Sequence, residues 1–312
     1  MMDTLTKSIH TGVNYSRLAR KNRTADILIA GLGMLVLFIA IATLLALFID
    51  LFITGWPRLQ DPGFYTEFPS RKPLEAGILS AWVGTIMVMI VTAVLAIPMG
   101  IAAGLYLEEY AGSNWFTDMV EVNVSNLAGV PSIVYGLLAL GLFIYTFGMS
   151  ETVLVAGMVL ALLILPIIIV ATREAIRAIP SELREAAYGL GADQWQTMYL
   201  YILPAARPGI ITGAIVGLAR AIGETAPIIT IGALSYIAFL PESPVSGDFP
   251  FINFEWLTSP FTVMPIQMFS WISRPQADFH ITAAAAGVVL IVMTLMMNTI
   301  AIYIRYKVRK RH

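Results

Sequence analysis

The chain has 312 residues, of which 58% are hydrophobic and only 12% charged, and its mean hydropathy is +0.78. Soluble domains carry about 45–50% apolar and about 25% charged residues, so a soluble globular fold is excluded and an all-α polytopic membrane protein is expected. The formal net charge of −1 gives no reason to expect a nucleic-acid partner, and the absence of Cys excludes disulfides, thiol chemistry and Cys-based metal sites.

In chain order, residues 1–26 form a basic tail and 27–53 a first transmembrane helix. That stretch is far longer than the roughly 7–15-residue core of a signal peptide, and no small-x-small site follows it. Residues 54–75 read as an external loop, 76–304 as a five-helix core and 305–312 as a basic tail. No charge occurs between Asp26 and Asp50, Glu75 and Glu108, Glu121 and Glu151, Glu151 and Arg173, or His280 and Arg305. Each gap holds the roughly 20 residues needed to cross about 30 Å of hydrocarbon. A further candidate, Gly209–Phe239, is interrupted only by Arg220 and Glu224. Six transmembrane helices are predicted.

Basic residues orient them. Lys7, Arg17, Arg20, Lys21 and Arg23 precede the first span, and Arg305, Lys307, Arg309, Lys310 and Arg311 follow the last. Arg173, Arg177, Arg184 and Arg207 lie in the loop 173–208. Opposite them stand only Arg58, Arg71, Lys72 and Arg274. The positive-inside rule puts both termini and the loop 173–208 in the cytoplasm. The segment Glu108–Asn126, cytoplasmic by alternation, carries no Lys or Arg.

The loop 173–208 reads as two short helices and an elbow. Pro180-Ser181 opens the first, with Glu182 and Glu185 near its positive dipole end. Its apolar stripe is Leu183, Ala186, Ala187 and Leu190. Gly191 supplies the positive φ of a helix stop. Asp193 and Gln196 form a capping box for the second helix, whose stripe is Trp195, Met198, Tyr199 and Ile202 and which Pro204 ends. From these residues alone, either a docking surface or a helix pair lying on the membrane fits.

In the fifth span Gly209, Gly213 and Gly217, continued by Ala221, repeat every fourth residue, a ladder that admits another helix backbone. At about 100° per residue Arg220 and Glu224 fall within the same arc, so both are expected on the packed face. Pro227 removes a donor, and a bend beside Glu224 follows. Arg220 and Glu224 fit either a structural i,i+4 ion pair or an anion route, because intramembrane charges mark function by default. A guanidinium fork suits tetrahedral oxyanions. The external loop 235–280, broken by Pro241, Pro244, Pro250, Pro260, Pro265 and Pro275, is expected to hold interfacial helices facing a binding protein. Trp56, Trp256 and Trp271 read as interface-belt aromatics. His10, His280 and His312 are too sparse for a metal site.

Glu185-Ala186-Ala187, Gly191 and Leu203-Pro204 have the offsets of the EAA loop of ATP-binding-cassette importer permeases, with Tyr201 in the slot that usually holds Ile. Arg220–Pro227, Pro98–Ala103 with Tyr106–Tyr110, Ala128–Gly136 and Ser259–Trp271 together resemble the phosphate importer permeases of the PstA type. The resemblance covers about residue 76 to the C-terminus. It implies the type I importer fold, located in the bacterial inner membrane, and an anion pathway at Arg220, Glu224 and Thr225. It also implies ATPase coupling through Glu185, Ala186, Ala187, Gly191, Leu203 and Pro204. The implied partners are a PstC-type permease, a PstB-type ATPase dimer and a PstS-type phosphate-binding protein, besides membrane lipid. No G-x-x-x-x-G-K-[ST] is present, so ATP and Mg are expected on the ATPase, with no catalytic residue, metal or cofactor in this chain. The same architecture serves other oxyanions (sulfate, molybdate, tungstate); an ion-coupled carrier using Glu224 leaves the ATPase dock unexplained.

The charge distribution predicts that a reporter fused after Arg311 or inserted near Gln194 is cytoplasmic, and one near Ser246 external. An external C-terminus in such fusions means an odd number of spans and overturns the six-helix topology.

Overall fold

The computed structural model describes residues 15–112, 114–233, 236–244 and 253–309, and every described element is helical. Lys7, His10, Ser246, Pro250, Lys310, Arg311 and His312 lie outside the described residues, as do the side chains of Arg17, Arg20, Lys21 and Arg309. Two units separate at Ile53. The first holds most of helix α1 (Tyr15–Leu59), whose side chains from Ala25 to Leu47 are all exposed. A helix apolar all round needs hydrocarbon or another chain as its surroundings.

The second unit is built around α6 (Val153–Arg177), which lies between α3 (Leu79–Leu105) and α9 (Leu203–Ile222). Small residues set these contacts. On the α3 side, a Cβ at Gly100 would meet Ile168 at 2.6 Å and one at Gly104 would meet Thr172 at 2.7 Å, while Gly157 of α6 has no room beside Val91. On the α9 side, a Cβ at Gly209 would meet that of Ala175 at 2.5 Å, and one at Gly213 would overlap Ala171. Lipid tails are as apolar as Leu, so close approach of backbones and dispersion must hold these helices together. The ladder read from the α9 sequence is the α6–α9 seam.

Among the described residues five helices are long and apolar enough to cross a membrane, and a bent pair makes six if its two halves form one span. The charge-free stretch between Glu121 and Glu151 was expected to contain one span. It divides into α4 (Trp115–Leu127) and α5 (Ser132–Ala139, continued by a π-helical stretch to Thr146), with an angle of 108° between them. The cause is local: Pro131 lacks an N–H, and the residue before a proline is pushed out of the α region. Tyr135 Oη donates to the freed carbonyl of Leu127 at 2.8 Å. Counting apolar residues measures length and is blind to direction.

Within residues 253–280, a 3₁₀ turn at Glu255–Thr258 precedes α11 (Met264–Ile272), which packs against α12 (Ala277–Arg309). The carbonyl of Thr262 fills the space left by Gly84, and the Met264 N–H donates to Thr85 Oγ1 at 2.9 Å. Trp271 has no exposed surface and Trp256 is buried, so these two are core residues; Trp56 alone of the three is exposed. Phe64 of the short helix α2 (Pro62–Thr66) joins Trp271 and Phe279 in one buried cluster. Arg58 is buried there, donating to the carbonyls of Leu74 and Ala76 at 2.8 Å each.

Gly213→Ala should overpack the α6–α9 seam by about 1–3 kcal/mol, lowering both membrane abundance and the melting midpoint in detergent. Ala171→Gly in the same chain should restore most of the loss; a Gly213→Ala variant as stable as the native protein would show that the seam is loose.

Candidate functional site

The loop 173–208 forms two short helices, α7 (Ser181–Gly189) and α8 (Gln194–Thr197), joined at Gly191 with φ +85°. Asp193 Oδ1 accepts from the Gln196 N–H at 2.6 Å, and the Asp193 N–H donates to Gln196 Oε1 at 3.1 Å, completing the predicted capping box. Each predicted stripe splits in two. Ala187, Met198 and Ile202 are buried, with Leu183 partly so, against Ile176, Ala206 and Ile210. Ala186 and Leu190, the latter 80% exposed, face outward with Tyr188, as does Trp195 stacked on Tyr199. Helical spacing finds an apolar face without distinguishing a core from a docking surface.

Pro204 does not end the second helix. From Gln194 the chain runs as one apolar helical segment to Ile222, through a π-helical stretch at Met198–Ile202. Leu203 bonds back to Met198, five residues earlier, and this wider turn accommodates the proline ring that clashes in a regular helix. Leu203 and Pro204 therefore stand at the foot of the fifth span, continuous with the loop. Glu185 and Ala186 are on the exposed face beside Tyr188, and Tyr201 is exposed while its neighbour Ile202 is buried.

Carboxylates missed in the sequence reading hold this loop. The last turn of α3 widens into a π-helical stretch, Tyr106–Tyr110. Its Glu108 accepts from Arg173 and Arg177, and its Glu109 accepts from Arg184 at 2.6 Å. Glu121 of α4 pairs with Arg173 at 2.6 Å. The segment lacking Lys and Arg thus supplies the acids that answer the loop's arginines. The signal was legible as complementary charge in two segments assigned to one side.

At the other end of α9 the helix stops at Ile222 and restarts as α10 (Ala226–Thr230), with Thr225 as its N-cap and the buried Pro227 in its first turn. The predicted bend is a full break. Arg220 Nε donates to Glu224 Oε1 at 3.4 Å, with the two side chains 37% and 20% exposed. Neither charge enters the glycine seam as expected. A Cβ at Gly217 would find its nearest α6 atom at 3.4 Å, against 2.5 Å at Gly209, so α9 and α6 diverge toward the break. Among the described residues Arg220 bonds only to Glu224, and only through Nε.

The two interrupted spans meet at this point. Gly136 of α5 has no space for a Cβ, because Thr230 Oγ1 and the Pro227 backbone lie against it. The adjacent Tyr135 is buried in the same core cluster as Ile228 of α10. Glu224 borders a narrow cavity shared with Thr85, Met89, Leu160 and Pro265. Gly136 and Tyr135 carried no recognisable chemistry in the sequence; only the packing of α5 on α10 brings them to the charged pair.

Among the described residues the unit is all-helical, with an arginine-rich loop at 173–208 and a broken span that bears Arg220 and Glu224. Residues 96–311 match the family model described as "Binding-protein-dependent transport system inner membrane component", and the chain belongs to that family. It is therefore a multi-pass protein of the bacterial inner membrane. Its fold is similar to a bacterial alginate ABC transporter solved with its periplasmic protein, at a TM-score of 0.62, 16% identity, and coverage of 90% of this chain and 94% of that one. Among sequence relatives, "Phosphate transport system permease protein PstA 1" of Mycobacterium tuberculosis (strain CDC 1551 / Oshkosh) is 30% identical over 262 residues, 82% of this chain and 81% of the relative. "Phosphate transport system permease protein PstA" of Mycobacterium leprae (strain TN) is 32% identical over 240 residues, 77% and 74% of the two chains. Within the family, the chain falls with the PstA-type permeases.

Proposed function

We propose that this chain is the PstA-type half of an ATP-driven importer and passes inorganic phosphate across the inner membrane at Arg220, Glu224 and Thr225. The observation that carries the reading is the state of Arg220. Its guanidinium sits at a break in the fifth span, partly exposed, with its Nη edge unbonded among the described residues. A fork held in that way suits bidentate capture of a tetrahedral oxyanion. Glu224 accepts a hydrogen bond from a protonated phosphate and limits how tightly the anion is held. A buried pair kept for stability alone gains little over apolar residues.

The energy enters through Glu185, Ala186, Ala187 and Gly191, with Leu203 and Pro204 passing the movement into α9. An ATPase dimer of the PstB type, holding ATP and Mg, docks on the exposed face formed by Tyr188, Leu190, Trp195 and Tyr199. The other translocation half is a PstC-type permease, and a PstS-type protein delivers phosphate from outside. Both termini and the coupling loop are cytoplasmic in this reading. The pairing of Glu108, Glu109 and Glu121 with the loop's arginines supports one shared side for these segments.

Glu185→Lys and Gly191→Asp should leave the chain inserted in the membrane yet abolish ATP-driven phosphate uptake, because one alters the docking face and the other the positive-φ elbow. Normal uptake by Gly191→Asp at native abundance would remove the loop from the coupling path.

Arg220→Gln should stop phosphate uptake while the subunit still assembles, and Glu224→Gln should slow it. A purely structural ion pair behaves differently: each single change leaves the other charge unpaired and lowers abundance, and the double neutral variant recovers both abundance and uptake. Abundance and phosphate uptake measured together for the three variants decide between these outcomes. A transporting double variant sinks the pathway role of Arg220.

A further inference from the structure

The five-residue turn that ends α3 is gripped from three directions. Glu108 accepts from Arg177 through Nε and Nη2, both at 3.0 Å, and from Arg173 Nε at 3.3 Å. Glu109 accepts from Arg184 of α7 through Nε at 3.0 Å and Nη2 at 2.6 Å. The backbone carbonyl of Glu109 accepts from Gln194 Nε2, at the start of α8, at 2.7 Å. Arg184 also donates to the carbonyls of Ile179 and Ile176, at 3.2 and 3.4 Å. One guanidinium thus joins the end of α6, the end of α3 and the coupling loop. The pair is mostly buried, with side-chain exposures of 22% for Arg184 and 12% for Glu109.

Chain connectivity makes this tie matter. The loop is covalently continuous with α6 on one side and α9 on the other, and any movement of α7 and α8 reaches those helices directly. Helix α3 has no such connection. Its far half nonetheless contributes Thr85 and Met89 to the cavity beside Glu224. We propose that Arg184 and Glu109 are positioning residues that carry the movement of the coupling loop into α3. Glu108 and Glu121, clamped on Arg173 and Arg177, move α4 and the end of α6 with it. The inference rests on the proposed coupling role of the loop and extends it from one span to the helix on the other side of α6.

The test uses the complete transporter, with ATPase, second permease and binding protein, in proteoliposomes, reading inorganic phosphate imported and ATP hydrolysed. Arg184→Gln and Glu109→Gln should assemble and hydrolyse ATP at close to the native rate, while phosphate imported per ATP falls by about 10-fold, the scale of a coupling between sites. Exchanging the charges, Glu109→Arg with Arg184→Glu, should recover most of that ratio, which a merely structural tie has no reason to change. Native phosphate per ATP in the single variants overturns the proposal. So does an exchanged pair that restores abundance and leaves the ratio low, and so does the loss of all three variants from the membrane, which assigns the pair to folding. Glu185→Lys separates the two readings: if it transports normally the dock itself fails, whereas if it abolishes uptake and Arg184→Gln does not, only the relay fails.

Discussion

The close approach of α6 to α3 and α9 is the constraint on which the other features depend. In hydrocarbon, burial of one Leu against another gains nothing over burial against lipid, so helices associate where small residues let backbones touch. Gly100, Gly104 and Gly157 provide this on one side of α6, and Gly209 and Gly213 on the other. A helix held on both sides in this way moves as a unit with its neighbours. Polar chemistry must then lie where the seam ends. That is where it is found, at Arg173 and its carboxylates on one end and at the divergence beside Gly217 on the other.

Broken helices are tolerated at that divergence for a related reason. Backbone groups freed inside a membrane need partners within the protein or a polar cavity. The interruption after Ile222 and the bend after Leu127 are placed against each other, with Gly136 of α5 seated on Pro227 and Thr230. Tyr135 satisfies a carbonyl freed by the bend. Two irregular segments pack against each other, and the partly exposed Arg220–Glu224 pair flanks the break in α9. A transport site built there has irregular backbone available without exposing it to lipid.

At the end of α6 that carries Arg173 and Arg177 the electrostatics are compact rather than diffuse. Glu108 lies between Arg173 and Arg177, and Arg173 is buried. Buried pairs contribute little net stability but are costly to separate. Such a cluster therefore specifies which helix ends stay together more than how stable the whole is. The loop 173–208 sits beside that cluster: its inner face rests on Ile176, Ile202 and Ile210, and its outer face, with Leu190 and Trp195, is left uncovered.

The sequence by itself determined the features that depend on local chemistry. Charge-free lengths located the spans, Gly191 and the Asp193–Gln196 box shaped the coupling loop, Pro227 marked the break beside Glu224, and the glycine repeat marked a packed face. Each follows from residues within a few positions of one another. Tertiary structure alone decided what those elements meet. It turned the third crossing at Pro131, carried the helix through Pro204, drew Trp256 and Trp271 into the core, and divided both stripes of the loop 173–208 into a buried and an exposed half. It also paired Glu108 and Glu109 with arginines some 65 to 75 residues away. Such contacts depend on which surfaces arrive together in space, and periodicity along one chain segment holds no record of its partner.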